Sequence, residues 1–264
     1  MYGALIGDII GSTYEWYNVK TEDFDLFPVG SHFTDDTVLS VATADTLLFP
    51  CSNIKEQYAL KYKQFYSRYP HAGFGQMFIQ WAENKNLYIQ KSYGNGAAMR
   101  VVAIGYAFES LDEVLKQVKY SCYYTHHHKE ATKCAQAVAA AVFMAYHGEN
   151  KQAIRTFIEK RLSIPLNFTL DEIRPNYVFN SRAMASVPHA IIAFLESESY
   201  ESAIRKAVSI GGDSDTIACI AGGIAEAYYK IIPDNILKTG KGFLDQTLKN
   251  TVNTFYNKYH LFKL

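Results

Sequence analysis

The sequence Gly-Gly-Asp-Ser-Asp-Thr at residues 211–216 decides how this chain folds, because it has a partner in Thr-Asp-Asp-Thr at residues 34–37. Each stretch places two carboxylates and a threonine hydroxyl within a few residues. Like charges this close raise each other's pKa and cost free energy unless a cation or several hydrogen-bond donors offset them. Two such clusters near opposite ends of the chain predict a fold that brings them together around a cation.

The ligand atoms available in these clusters narrow the choice of metal. Every candidate is an oxygen and no cysteine lies beside either cluster, which favours the hard ions Mg²⁺ or Mn²⁺ over zinc or copper. The alternative interpretation is helix capping, since Asp, Ser and Thr commonly open helices. Apolar residues with helical spacing do follow both clusters, at residues 38–48 and 217–225. Either cluster alone leaves both interpretations open, whereas two clusters of the same composition favour a metal.

No part of the sequence shows a sustained alternation of apolar and polar residues, so we expect an all-α protein. A single metal site built from both ends of the chain requires one compact bundle, which predicts one domain over residues 1–264. Near the start, Gly3, Gly7 and Gly11 recur every four residues. On a helix they would form one face without side chains, which another backbone could approach closely.

The composition restricts partners and location. Lysine and arginine number 26, as do aspartate and glutamate, so no overall field attracts nucleic acid or an anionic membrane. No apolar run is long enough to span a bilayer, and the N-terminus lacks the basic region of a signal peptide. The four cysteines show no paired spacing, which is typical of free thiols in a reducing compartment. We therefore expect a soluble, cytoplasmic protein; its oligomeric state is open.

Two further motifs lie in the middle of the chain. Ser-Tyr-Gly-Asn-Gly-Ala-Ala-Met-Arg at residues 92–100 precedes an apolar helical pattern over residues 101–108. Glycines that open a helix can direct backbone N–H groups at a phosphate, although Asn-Gly is equally a plain turn signal. Residues 126–128 are three consecutive histidines before a predicted helix at 129–146. They would point in different directions, so we expect no histidine zinc site here.

Taken in order, these motifs resemble those of the ADP-ribosylglycohydrolase family across residues 3–229. The matching segments are Gly-Asp-Ile-Ile-Gly at 7–11 followed by Glu15, Thr-Asp-Asp-Thr at 34–37, the motif at 92–100, Thr125-His126, and the motif at 211–216. The resemblance implies an all-α bundle of the ADP-ribosylglycohydrolase type, with a binuclear Mg²⁺ or Mn²⁺ centre in a cleft.

The resemblance also implies roles for individual residues. The metal ligands would be Thr34, Asp35, Asp36, Asp213, Asp215 and Thr216. The ADP-ribose pocket would be lined by Ser92, Tyr93, Gly94, Asn95 and Gly96, with His126 touching a phosphate or the distal ribose. Glu15 would be the catalytic carboxylate and Asp36 the next candidate for activating water. Arg100 is either a phosphate clamp or a structural ion-pair residue, and we assign it no role.

The expected function is therefore metal-dependent hydrolysis of the N- or O-glycosidic bond between ADP-ribose and a modified side chain, of arginine or serine type. Two alternatives stay open. One is hydrolysis of a small ADP-ribose derivative such as an O-acetyl or phosphate ester. The other is a module that binds ADP-ribose without cleaving it. The partner would be an ADP-ribosylated protein or a small conjugate, with neither nucleic acid nor a membrane involved.

Overall fold

A computed structural model describes residues 1–49 and 51–261 of the chain. Pro50, which we expected to end a helix, and residues 262–264 of the predicted domain lie outside the described part. The described residues form fourteen α-helices and no strand, which confirms the all-α prediction. The helices are α1 Tyr2–Gly11, α2 Asp35–Leu48, α3 Ile54–Arg68, α4 Gln76–Glu83, α5 Val102–Tyr106, α6 Leu111–Cys122, α7 Lys129–Tyr146, α8 Lys151–Leu162, α9 Leu170–Ile173, α10 Ala183–Leu195, α11 Tyr200–Ser209, α12 Ser214–Tyr229, α13 Asp234–Phe243 and α14 Gln246–Lys258.

The closest helix pair joins the two ends of the chain. A Cβ atom added at Gly3, Gly7 or Gly11 of α1 would lie 2.5, 2.1 or 2.4 Å from a backbone oxygen of α12. Gly3 faces Gly222 and Gly11 faces Ser214, so the two helices run antiparallel. The four-residue glycine spacing therefore does allow another backbone to approach closely. As a result, the C-terminal end of α1 lies beside the N-terminal end of α12.

The core around this pair is filled by small side chains. Helix α7 contacts α5, α6, α8, α10 and α12, and its alanines at positions 131, 135, 137, 139, 140, 141 and 145 are buried. Alanine allows several helices to pack against one without gaps and also favours helix formation. Helix α12 contacts α1, α10 and α11 on its other sides. The two acid-rich helix starts are thus held on a packed scaffold.

One helix is shorter than its sequence pattern indicated. The pattern at 101–108 yields only the short α5, where Gly105 crosses α7 so closely that a Cβ would lie 2.6 Å from Val142 Cγ1. The segment at residues 163–180 contains a single four-residue helix, α9, and α4 starts after Gly75, an extended residue. Among the described residues, no helix has both the length and the apolar character needed to cross a bilayer.

Candidate functional site

The two acidic clusters meet at the junction of α1, α2 and α12. They line a cavity of about 430 Å³ that also contacts the loop before α5 and His126, the first of the three consecutive histidines. Of the predicted site residues, all but Tyr93 line this cavity: Glu15, Thr34, Asp35, Asp36, Ser92, Gly94, Asn95, Gly96, His126, Asp213, Asp215 and Thr216. Tyr93 lies in the same loop with its side chain 56% exposed. The fold thus brings together motifs that are far apart in sequence.

The carboxylates form two overlapping groups. In each, one oxygen from every residue lies within 4.8 Å of the others: Asp8, Asp36 and Asp215 form one group, and Glu15, Asp213 and Asp215 form the second. Asp215 belongs to both. All of these residues except Glu15 are buried, and Glu15 is partly buried. Neither group contains a histidine.

Asp8 is a site residue that the sequence analysis did not single out. Its side chain is fully buried, and it accepts hydrogen bonds from the backbone N–H and hydroxyl of Thr34, at 2.9 and 2.7 Å, and from the N–H of Thr37, at 3.1 Å. Asp8 therefore fixes the start of α2 against α1. The sequence signal that could have identified it is an acidic residue within the otherwise apolar helix α1. Burying a carboxylate costs free energy unless hydrogen bonds, an opposite charge or a metal offset it.

Asp36 is incompletely satisfied by the protein. Its Oδ2 accepts a hydrogen bond from the hydroxyl of Thr216 at 3.2 Å and lies 3.4 Å from the hydroxyl oxygen of Thr34, whose proton goes to Asp8. Its Oδ1 is buried and has no hydrogen-bond partner among the described residues. A buried carboxylate oxygen without a partner costs free energy, so this atom points to a missing ligand. Asp35 lines the same cavity but belongs to neither carboxylate group.

The capping interpretation holds for one cluster and fails for the other. Thr34 is the N-cap of α2, and its hydroxyl oxygen accepts a bond from the N–H of Asp36 at 3.3 Å. Asp213 occupies the N-cap position of α12 but makes no capping hydrogen bond. Its Oδ2 instead accepts a bond from the Asn95 amide at 2.6 Å. Capping therefore does not explain the acids of the second cluster.

The electrostatics of the site are those of uncompensated acid. Burial, and then the Asp215 carboxylate, raise the pKa of Asp8 to about 7 and that of Glu15 to about 7. The same two causes raise the pKa of Asp35, Asp36 and Asp213 well above the usual range of an aspartate. No lysine or arginine in the described ranges forms an ion pair with these groups. Either protons or an external cation must offset the charge.

The residues present fit a divalent cation. The donor set consists of carboxylate and hydroxyl oxygens, the ligands that Mg²⁺ and Mn²⁺ prefer. Two observations support metal ligation: Asp36 Oδ1 has no hydrogen-bond partner among the described residues, and Asp215 belongs to both carboxylate groups.

The loop of residues 92–97 forms the opposite wall of the cavity. Gly94 N–H donates to Ser92 Oγ at 3.2 Å, and Asn95 N–H donates to the backbone oxygen of Ser181 at 2.8 Å. Two backbone donors that we assigned to a phosphate are therefore engaged within the protein, and residues 95–97 form a single 3₁₀ turn. The bond from Asn95 to Asp213 ties this loop directly to the acidic cluster.

The Arg100 and His126 side chains are both buried at the base of this loop. Arg100 pairs with no carboxylate in the described part of the chain, so it is not the structural ion-pair residue considered above. It donates instead to Ser121 O at 3.2 Å and Thr125 Oγ1 at 2.6 Å. Of the three consecutive histidines only His126 is buried.

Comparisons with known proteins agree with this geometry. The sequence profile of the ADP-ribosylglycohydrolase family matches residues 1–260. The chain is 27% identical to "ADP-ribosylhydrolase ARH3" of Homo sapiens, over 91% of this chain and 88% of that protein. It is 23% identical to "ADP-ribosylarginine hydrolase Tri1" of Pseudomonas putida (strain GB-1), over 88% of this chain and 70% of that protein. A solved structure described as "ADP-ribosylglycohydrolase-related protein complex" superimposes with a TM-score of 0.68 and 21% identity, covering 99% of this chain and 97% of the other.

Proposed function

Because the chain belongs to the ADP-ribosylglycohydrolase family, whose members are glycosidic-bond hydrolases acting on ADP-ribose conjugates, we propose that it releases ADP-ribose from a modified protein side chain in a reaction that depends on Mg²⁺ or Mn²⁺. The observation that carries this proposal is the pair of overlapping carboxylate groups that share Asp215. Their burial without an ion-pair partner requires protons or a bound cation, and we assign a cation because the donors are carboxylate and hydroxyl oxygens and Asp36 Oδ1 has no partner among the described residues.

We assign two ions to the site because the two carboxylate groups overlap only at Asp215. Their protein ligands would be Thr34, Asp35, Asp36, Asp213, Asp215 and Thr216. Asp8 supports this set: it accepts the hydroxyl proton of Thr34, which leaves a lone pair of that oxygen for a metal. Bound divalent ions would supply electrostatic activation of a water and of the substrate hydroxyls.

The remaining chemistry belongs to side chains of this protein. Hydrolysis of a glycosidic bond passes through an oxocarbenium-like transition state and uses nearby carboxyl groups as acid and base. Glu15 suits this role because it lines the cavity and is only partly buried, so its carboxyl group can contact both substrate and solvent. Asp36 is the second candidate, since its carboxylate lines the same cavity as Glu15.

We place the ADP-ribosyl group between the acids and the loop of residues 92–97. Ser92, Gly94, Asn95, Gly96 and His126 would contact the diphosphate and the distal ribose. Tyr93, with its exposed ring, would contact the adenosine. The Asn95 side chain bonds to Asp213 and so links the loop of residues 92–97 to the acidic cluster. This bond would hold a diphosphate bound by the loop at a fixed distance from the acids.

The acceptor residue would be an arginine or a serine. The name of the Pseudomonas relative supports arginine-linked substrates, and serine-linked substrates are the alternative within the same reaction. Small conjugates such as an O-acetyl ester are a second candidate, because nothing at the cavity requires a protein to be attached. A non-catalytic role is disfavoured by the intact acids, since binding ADP-ribose alone does not require them.

The deciding experiment measures ADP-ribose release, by chromatography, from arginine-linked and serine-linked ADP-ribosyl peptides with Mg²⁺, Mn²⁺ or EDTA. We expect release from one peptide that EDTA abolishes. Release of equal size with EDTA would contradict the metal dependence. No release from either peptide, with O-acetyl-ADP-ribose turned over, would replace the protein substrate with a small one.

Two broader expectations accompany this function. We propose that residues 1–264 act as one domain, because both ends of the chain contribute to one site. A cytoplasmic location is supported by four unpaired cysteines, of which Cys51 is exposed.

A further inference from the structure

A chain of hydrogen bonds runs from Arg100 to the substrate side of the cavity. The Arg100 guanidinium is fully buried and lies 4.1 Å from the centre of the Tyr62 ring. Its Nη2 donates to Thr125 Oγ1 at 2.6 Å, and that oxygen lies 2.9 Å from Nδ1 of His126. The three side chains thus form a continuous buried relay that ends at an imidazole.

The direction of the protons in this relay follows from the donors available. A guanidinium can only donate, so Thr125 Oγ1 must accept from Arg100. Among the described residues, His126 Nδ1 is the other side-chain hydrogen-bond partner of the Thr125 hydroxyl. Nδ1 is thus the only acceptor that the described residues offer to the hydroxyl proton, and the arrangement that leaves no buried proton without an acceptor has Nδ1 unprotonated. In a neutral imidazole the proton then resides on Nε2.

His126 Nε2 is the ring atom that faces the substrate loop. A Cβ added at Gly96 would lie 3.3 Å from Nε2, and one added at Gly94 would lie 3.8 Å from it. The two glycines therefore leave this side of the ring accessible to a ligand, and all three residues line the cavity. A side chain at either position would cover the nitrogen.

We propose that Arg100 and Thr125 are positioning residues that hold His126 as the Nε2–H tautomer, so that the imidazole donates a hydrogen bond to an oxygen of the ADP-ribosyl group. This inference rests on the proposed function for the identity of the ligand, but the tautomer itself is a property of the free protein. Arg100, whose side chain is fully buried, acts on His126 through Thr125.

The surroundings keep the imidazole neutral, as this arrangement requires. Burial, and then the charge of Arg100, lower the pKa of His126 well below the usual value for a histidine. A permanently charged arginine suits this role, because its planar group can stack on Tyr62 while donating to Thr125. A protonated His126 would place two cations at opposite ends of a two-bond relay.

The test reads the tautomer directly in the full-length protein. Long-range ¹H–¹⁵N correlation spectra of histidine-labelled protein at neutral pH distinguish the two ring nitrogens, and His126→Gln identifies the signal. We expect a protonated Nε2 and an unprotonated Nδ1 in the unmodified protein. Thr125→Val, which removes the donor at nearly constant volume, should shift His126 toward a mixture of tautomers, whereas Thr125→Ser should restore the original spectrum.

A matched control is Thr46→Val, because Thr46 is equally buried and its hydroxyl bonds only to its own helix, at Ala42 O. It should leave the His126 signals unchanged. A protonated Nδ1 in the unmodified protein, or an unchanged spectrum in Thr125→Val, would overturn the relay. Arg100→Met should resemble Thr125→Val, and if it fails to fold, the threonine variants decide.

A binding measurement separates this inference from the proposed function. With ADP-ribose as the probe, calorimetry should show about tenfold weaker binding to Thr125→Val than to the unmodified protein, and no such loss in Thr46→Val. Equal affinity in Thr125→Val would overturn the positioning role. If the unmodified protein does not bind ADP-ribose at all, the proposed function fails, while the spectra still decide the tautomer.

Discussion

The two ends of the α1–α12 helix pair both bury carboxylates, but they differ in whether the protein supplies those carboxylates with a positively charged partner. At one end, the fully buried Glu226 of α12 accepts hydrogen bonds from the α-amino group of Met1, the N–H of Gly3 at 2.9 Å and the hydroxyl of Tyr256. At the other end, no lysine or arginine in the described ranges forms an ion pair with the acids around Asp215. Helix packing is the same along the pair, so packing does not account for the difference.

The comparison shows how a structural acid can be told from a functional one. Where an acid only holds the fold together, the chain supplies a cation and enough donors to satisfy it. Where the acids must hold something else, the chain leaves their charge uncompensated and accepts a cost in stability. Removing a charge should therefore have opposite effects on stability at the two ends.

The largest effect is expected for Asp215→Asn, because Asp215 belongs to both carboxylate groups. Turnover should fall by about 10³-fold or more, since the change weakens every metal interaction in the site. Without metal, the variant should be as stable as the unmodified protein or more stable, because one repulsive charge is gone. Release assays and thermal unfolding in EDTA would measure the two quantities.

The control for that variant is Asp112→Asn, an exposed acid in the first turn of α6. It should change neither turnover nor stability noticeably. Loss of stability in metal-free Asp215→Asn would mean that the acid is structural after all, and the contrast between the two ends would disappear.

Glu226→Gln should have the reverse signature. The variant leaves a buried amino group without its counter-charge, so the free energy of unfolding should fall by about 3 kcal/mol. Turnover per folded molecule should be retained, because Glu226 lies at the end of α12 away from the site. Urea unfolding monitored by circular dichroism tests this. An unchanged midpoint would show that the ion pair contributes no net stability.

Glu15→Gln should reduce turnover by about 100-fold, the usual contribution of a general acid or base. ADP-ribose binding should persist, because Glu15 sits at the partly exposed edge of the acidic end and removing its charge also reduces repulsion. Calorimetry and release assays on the same preparation separate binding from turnover. Near-normal turnover would remove Glu15 from the mechanism and make Asp36 the acid.

The smallest effect concerns pH. Carboxyls whose pKa is raised on folding bind more protons in the native state, so their contribution to stability is present at low pH and is lost as the pH rises through the folded pKa. For Asp8 and Glu15 that pKa is about 7, so the metal-free protein should lose about 1 kcal/mol or more between pH 5 and 8. Saturating Mg²⁺ should flatten the curve, and a stability that rises over this range in EDTA would contradict the sign.

Much of the fold could be predicted because it depends on local periodicity. The apolar spacing after both acidic clusters predicts α2 and the first part of α12, and the Gly3, Gly7 and Gly11 spacing predicts a close helix contact. That the two acidic clusters lie together was inferred from their charge alone, because a single bound cation site could offset the repulsion within both. These predictions rest on residue spacing and charge, both of which can be read directly from the sequence.

The remainder depends on contacts between distant residues that no local pattern records. Asp8 was given no role of its own within the matching segment at residues 7–11, because its partners Thr34 and Thr37 lie at the start of another helix. The bond between Asn95 and Asp213 joins segments 118 positions apart. For Arg100, the sequence left a choice between phosphate and ion pair, whereas its observed partners are a hydroxyl, a carbonyl oxygen and an aromatic ring.

The contact between α1 and α12 has a consequence for the order of events during synthesis. Ser214 at the start of α12 donates to Tyr14 O, 200 positions earlier in the chain. At ribosomal rates of about 5–20 residues per second, α1 leaves the ribosome roughly 10–40 s before the helix that covers it. For that interval its apolar residues have no final partner, so the nascent chain should depend on chaperones early and become active only when nearly all of it has been translated.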